Sequence, residues 1–206
     1  MKPVFILLFL LTLGTPLATM AADAGKPAAA KQGASTEELL ARPPNGWKVA
    51  YQMNNGKTRI TDFVPPKETD SDWTTKLTFE SHADLVGSDP IAITRDMIND
   101  EHNKCSFLQH FNLFTGLENN YKTSAQLLLC GRSKYYGKGE VSIVKAIDGE
   151  DYFYIIRIQK FVKPFKINQS KFNEREMANW SQYFAKIKLC NRGSSKHPCP
   201  KPTAKH

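Results

Sequence analysis

The chain has 206 residues, 41% of them hydrophobic and 23% charged, the composition of an ordinary soluble globular protein. That length means one domain with a tail rather than several, and it is enough to bury a core without a structural metal. The net charge of +8, from 28 Lys and Arg against 20 Asp and Glu, excludes no fold but favours anionic partners such as lipid headgroups, acidic polysaccharide or nucleic acid.

The opening residues have the architecture of a secretory signal peptide. Lys2 supplies a short positive region. Val4 to Leu13 is an apolar run broken only by Thr12, and Gly14 and Pro16 end it. The run is too short to span a bilayer, which takes about 20 apolar residues. Small residues follow from Ala18 to Ala24, so cleavage is expected after Ala21, Ala22 or Ala24. Residues 1–22 are therefore assigned to the signal peptide. No Cys lies near the cleavage region, which argues against a lipid anchor, and no second long apolar run follows, so no membrane span is expected in the mature chain. The expected compartment is periplasmic or secreted.

Residues 23–42 read as a linker and a short helix. Asp23 to Ala34 is rich in Ala, Gly, Lys and Pro. Ser35-Thr36-Glu37-Glu38 matches a capping box and predicts a helix through Leu39 and Leu40. Residues 43–199 are assigned to a single domain and 200–206 to a disordered tail. Trp47 to Met53 alternates, with Trp47, Val49, Tyr51 and Met53 on one face, and predicts a half-buried strand. Asn54-Asn55-Gly56 is a hairpin signal; Thr58 to Val64 returns as a second strand, and Thr74 to Ser81 is a third. Ser88-Asp89-Pro90 opens a helix to about Asn103, with Ile91, Ile98 and His102 or Cys105 near one face. Phe107 to Phe114 and Tyr121 to Cys130 predict two strands around a turn at Gly116 to Asn120. Glu140 to Ile147 and Tyr152 to Phe161 predict a hairpin around Asp148-Gly149. Asn173 caps a last helix whose Met177, Trp180, Phe184 and Ile187 form a core-facing stripe rather than a cofactor box. Runs of strands with occasional helices predict an α+β fold: an antiparallel β-sheet of about six to seven strands with two main helices packed on it.

Four cysteines, Cys105, Cys130, Cys190 and Cys199, read as two disulfides in an exported chain. Three pairings exist. The local ones, Cys105–Cys130 and Cys190–Cys199, are favoured, each worth about 3 kcal/mol by loop closure. A metal reading of His102-x2-Cys105-x4-His110, or of His197-Pro-Cys199, lacks the paired ligand spacing that surrounds one ion. No nucleophile elbow, Cys–His pair or phosphate-cradling glycine loop occurs, and no cofactor is expected. His82 or His110 could serve an exported hydrolase with a non-standard site, provided that a carboxylate or nucleophile lies within hydrogen-bond reach. Asp96, Asp100 and Glu101 fit a solvated helix face. Arg157, Lys160, Lys163 and Lys166, interleaved with Phe161 and Phe165, form a candidate anion-binding run. A strand alternates with period two, however, so Arg157 and Lys160 should face opposite ways. Asn168-Gln169-Ser170 and Asn179-Trp180-Ser181 match the glycosylation sequon.

Asn45-Gly46-Trp47-Lys48-Val49-Ala50-Tyr51, Trp73-Thr74 and the ending Leu189-Cys190 with His197-Pro198-Cys199-Pro200 resemble uncharacterised exported proteins of Gram-negative bacteria. The element order resembles the PsbP/DcrB type of sandwich. The resemblance implies a non-enzymatic accessory or binding protein. Its expected partner is a protein or an anionic envelope component, with no nucleic acid.

Overall fold

The structure, a computed structural model, describes residues 36–166 and 173–201. The expected signal peptide, the linker up to Ser35, the sequon at Asn168 and residues 202–206 of the expected tail lie outside the described residues.

The strands follow the alternating segments. β2 (Lys48–Asn54), β3 (Thr58–Val64), β4 (Thr75–His82), β5 (Leu108–Glu118), β6 (Tyr121–Cys130), β7 (Gly139–Asp148) and β8 (Phe153–Val162) form a seven-stranded sheet. Its order is β2-β3-β4-β8-β7-β6-β5, and every neighbouring pair is antiparallel. With α1 (Pro90–Lys104) and α2 (Glu174–Lys186) this is an α+β fold. Among the described residues no helix is long and apolar enough to cross a membrane. Hairpin chemistry sets the turns. Gly56 has φ +86°, and Asn55 Oδ1 accepts from the Thr58 amide at 2.7 Å. Asn119 and Asn120 take positive φ between β5 and β6, so the turn falls at the end of the expected Gly116–Asn120 stretch.

The expected short helix at 37–40 is instead a strand, β1 (Glu37–Leu40), paired antiparallel with β9 (Lys188–Asn191). A single helical turn fixes several residues for one hydrogen bond, which is unfavourable in isolation. As a strand the segment gains the β9 ladder and packs Leu39 against the core. It also places the Glu37 carboxylate on the Glu150 and Asp151 amides, at 2.5 and 3.0 Å.

The sheet is covered on both faces. On one, Phe184 from α2, Ile187 at its C-cap and Leu189 from β9 bury Leu77, Ile143, Ile147, Ile156 and Ile158, with Met177 and Trp180 packed alongside. The stripe at 177, 180, 184 and 187 is therefore core. On the other face, Ile93, Met97 and Ile98 of α1 pack on Leu128, Val144, Ala146, Phe153 and Ile155. The expected α1 face holds at Ile98, which packs on the sheet, and at the Cys105 alternative, which is buried, but not at Ile91, 47% exposed, or at His102, also exposed. Pro90 and Thr94 are the residues turned inward, and the Thr94 hydroxyl lies 3.0 Å from Ser124 Oγ. The inward face of α1 therefore runs through 90, 93–94 and 97–98, and Ile91 falls off it. The expected β2 face also changes. A register shift between Val49 and Tyr51 leaves both exposed and half-buries Ala50 and Met53, because a bulge resets the alternation.

Candidate functional site

The candidate anion-binding run is split by the sheet. Arg157 sits opposite Val144 on the α1 face, and Lys160 sits opposite Val141 on the α2 face. Lys160 reaches α2 and binds the Glu176 carboxylate at 2.6 Å. The pair stands at a cavity of about 170 Å³ lined by Val141, Ile143, Ile158, Val162, Met177 and Trp180. On the other face, Glu140 is buried and accepts from Gln159 Nε2 at 2.9 Å. Burial raises its pKa above the usual carboxylate range; the Glu101 charge adds to this, and Arg157 opposes it. Lys160 is thus paired, Arg157 is held within the sheet with its Nε buried and without a hydrogen-bond partner among the described residues, and Lys163 and Lys166 run past the strand end into solvent.

There they meet a loop that sequence reasoning passed over. Residues 131–138 join β6 to β7 and read Gly-Arg-Ser-Lys-Tyr-Tyr-Gly-Lys, without an acid. Phe165 N donates to Gly131 O at 3.0 Å, and a Cβ on Gly139 would lie 2.8 Å from Lys163 O. The two segments are therefore pressed together, and glycine is what permits it. Arg132, Lys134, Lys138, Lys163 and Lys166 are all exposed. Among the described residues none of them has an acidic partner within ion-pair distance. Lys134 Nζ donates to Asn103 O, and Lys138 lies over the Phe161 ring.

The loop is rigid by construction. Ser133 N donates to Lys138 O and Gly137 N to Ser133 O, while Ser133 Oγ accepts from the Tyr135 and Tyr136 amides. Its base is tied to the end of α1 by Ser106 N to Arg132 O and Lys134 N to Lys104 O. The Cys105–Cys130 disulfide, with Cα atoms 5.6 Å apart, closes the same junction. Tyr135 and Tyr136 project from this frame, 74% and 62% exposed. Below them Trp73 stacks on Phe161 at 4.4 Å, Tyr136 leans on Phe161 at 5.0 Å, and Lys76 Nζ covers Trp73 at 4.8 Å. The signal in the sequence was two adjacent tyrosines among glycines and cations, just after a cysteine.

The second disulfide joins Cys190 to Cys199, with Cα atoms 4.9 Å apart, and all four cysteines are bridged. His197 is buried against the Tyr121 ring at 3.8 Å, its Nδ1 2.8 Å from Asn119 O. Bridged sulfurs are not thiolate ligands, so a Cys–His metal site does not form there. His110 is exposed and has no hydrogen-bond partner among the described residues. His82 meets the geometric condition for a base: Nε2 is 2.9 Å from Glu80 Oε2, and Nδ1 is 3.5 Å from Thr58 Oγ1. Sequence reasoning also missed Lys145, whose buried ammonium donates to Phe184 O and Ile187 O at 3.1 and 2.7 Å and pairs with Glu118 at 2.5 Å. It neutralises the carbonyl end of α2, and desolvation still lowers its pKa.

No protein-family model matches the sequence, and no curated protein matches it. Among solved structures, a mutant of the protein Mog1 gives a TM-score of 0.44 at 12% identity, covering 74% of this chain and 94% of that one. The crystal structure of the Ran-binding protein Mog1p of Saccharomyces cerevisiae gives 0.39 at 13% identity, covering 72% of this chain and 84% of that one. At these values neither likeness bears on function or partner.

Proposed function

We propose that the protein is a non-enzymatic binding protein of the periplasm or cell exterior, with the basic, tyrosine-tipped end of the sheet as its contact surface. The observation that carries this is the loop at 131–138: two exposed tyrosines held on a hydrogen-bonded and disulfide-closed frame amid five cations that have no acidic partner within ion-pair distance among the described residues. Tyrosine supplies contact area at little entropic cost, and preformed loops lose little on binding. Unpaired cations favour an anionic partner and speed encounter with it. The compartment rests on the signal-peptide pattern, on two disulfides, which persist in oxidising surroundings, and on the resemblance of the Asn45–Tyr51 stretch to exported proteins. Nucleic acid is disfavoured by that compartment.

The test is a photo-reactive phenylalanine analogue at position 135, with Leu117 at the opposite end of the sheet as control. Exported protein should cross-link to an anionic envelope component from position 135 and not from 117. Equal yields, or none from 135, would overturn the assignment.

A second reading is favoured by one contact set. Thr58, His82 and Glu80 align as hydroxyl, imidazole and carboxylate on adjacent strands, the arrangement of an activated nucleophile. Ester hydrolysis that disappears in both Thr58→Val and His82→Gln would establish it. Hydrolysis that is absent, or insensitive to both changes, would remove it.

A further inference from the structure

Resting on the contact surface proposed above, we infer that its partner is an anionic lipid bilayer, which the end formed by 131–138 and 161–166 meets peripherally. A polysaccharide or single strand held by stacking needs open aromatic faces along a groove. Here the rings at the base of the surface are already engaged, and the two tyrosines with open faces are neighbours on one turn rather than spaced along a groove. Trp73 is stacked on Phe161 on one side and covered by the Lys76 ammonium. Phe161 is held by Trp73, Tyr136 and Lys138, and Phe165 meets Phe107 edge to face at 5.7 Å.

What remains outward is a tip of two exposed tyrosines that shares the 131–138 loop with Arg132, Lys134 and Lys138 and adjoins the segment carrying Lys163 and Lys166. Amphipathic rings seat at the headgroup level, and lysines beside them snorkel toward phosphate. Acids are not far away. Asp100 and Glu101 are paired with Lys104. Glu68, whose pKa is lowered, accepts from the Thr74 and Thr75 amides and the Thr74 hydroxyl. Asp70 and Asp72 lie on the β3–β4 loop, across β8 from the tip. The tip therefore carries the positive field, and the surface is bound from the β6–β7 side. With no long apolar helix among the described residues, attachment is reversible and salt-sensitive.

The experiment is co-sedimentation of the mature, oxidised protein with vesicles of phosphatidylcholine mixed with phosphatidylglycerol, and with phosphatidylcholine alone. Binding is expected only to the mixed vesicles and should weaken as salt rises. Lys138→Gln with Lys163→Gln should lower the partition coefficient roughly 25-fold, about fivefold for each cation. Tyr135→Ser should weaken it further. Lys57→Gln with Lys122→Gln, at the opposite end of the sheet, should change it by no more than their share of the net charge. All these positions are exposed, and unchanged melting temperatures would show that the variants are folded. Equal binding to neutral vesicles, or equal losses from the two pairs of lysine variants, would overturn the inference. If vesicles are not bound but position 135 still cross-links to an envelope protein or acidic polysaccharide, the contact surface stands and the bilayer is wrong. If both experiments fail, both readings fall.

Discussion

Loss of the Cys105–Cys130 bridge should destabilise the protein more than loss of Cys190–Cys199. The bridges span sequence separations of 25 and 9 residues. Closing loops of those lengths in the unfolded chain removes about 3.5 and about 2.6 kcal/mol of disorder on the chain-entropy account. The longer bridge carries a second contribution. Cys105 and Cys130 are both buried, at the junction where the end of α1, the end of β6 and the 131–138 loop meet, whereas in the shorter bridge Cys190 is buried and Cys199 only half-buried. Truncating two buried sulfurs there adds a cavity cost of about 1 kcal/mol or more. Cys105→Ala/Cys130→Ala should therefore lose about 4–5 kcal/mol in urea unfolding with an unchanged m-value, and Cys190→Ala/Cys199→Ala about 2–3. Hydrogen exchange should show the first variant deprotecting the amides of Ser133, Gly137 and Ser106, all hydrogen-bonded in the intact loop. Equal losses for the two variants, or a loss below about 1 kcal/mol for the first, would refute both the loop-length argument and the role of this bridge as the anchor of the basic tip.

Three further outcomes concern polar groups, two buried (Lys145, Glu140) and one half-buried (Glu37). Lys145→Met should cost about 3–5 kcal/mol by chemical denaturation, because it strands the Glu118 carboxylate and two α2 carbonyls; adding Glu118→Gln should recover part of the loss. Glu140 has its pKa raised above 4.5 by burial, so the folded state takes up a proton more readily than the unfolded one. Stability is therefore lost as pH rises from the unfolded value through the raised folded one. Glu140→Gln, which keeps an acceptor for Gln159, should melt higher than the parent at pH 7, with the difference vanishing below about pH 4 in a calorimetric pH series. Glu37→Ala should release β1 and the β7–β8 turn together, since that carboxylate accepts from the Glu150 and Asp151 amides and the Tyr154 hydroxyl. A loss of about 2–4 kcal/mol is expected for these charge-assisted bonds, with faster exchange at both amides.

Much of the fold was legible from local pattern. Period-two alternation located the strands of the large sheet, Asn173 capped α2 with its side chain on the Arg175 and Glu176 amides, and Asp89 with Pro90 opened α1. Each is decided by contacts within a few residues, which sequence neighbours dictate. The errors fell where a distant partner outweighed the local signal. Glu37 to Leu40 carried half a capping box, and β9, some 150 positions later, made it a strand. The Val49–Tyr51 alternation was reset by a bulge that exists only because β3 lies alongside.

The candidate site divides in the same way. Lys163 and Lys166 were visible as a basic run, and period two alone predicted that Arg157 and Lys160 would face apart, as the register places them. Their companions were not visible. Arg132, Lys134, Lys138, Tyr135 and Tyr136 belong to a loop some 25–30 positions earlier, brought beside 163–166 because β7 returns antiparallel to β8 and leaves its start at the end of its partner. Likewise, His82 has its Glu80 partner two residues away, but its Thr58 contact depends on the β3–β4 register. From composition and periodicity alone, the sequence determined the strands and helices, the antiparallel α+β class, and the pattern expected of an exported, disulfide-bonded chain. Only the tertiary structure decided which cations and rings share a surface, which ring faces remain free, and which charges are neutralised. Those depend on through-space distances between segments far apart in the chain, and short-range pattern carries no information about such distances.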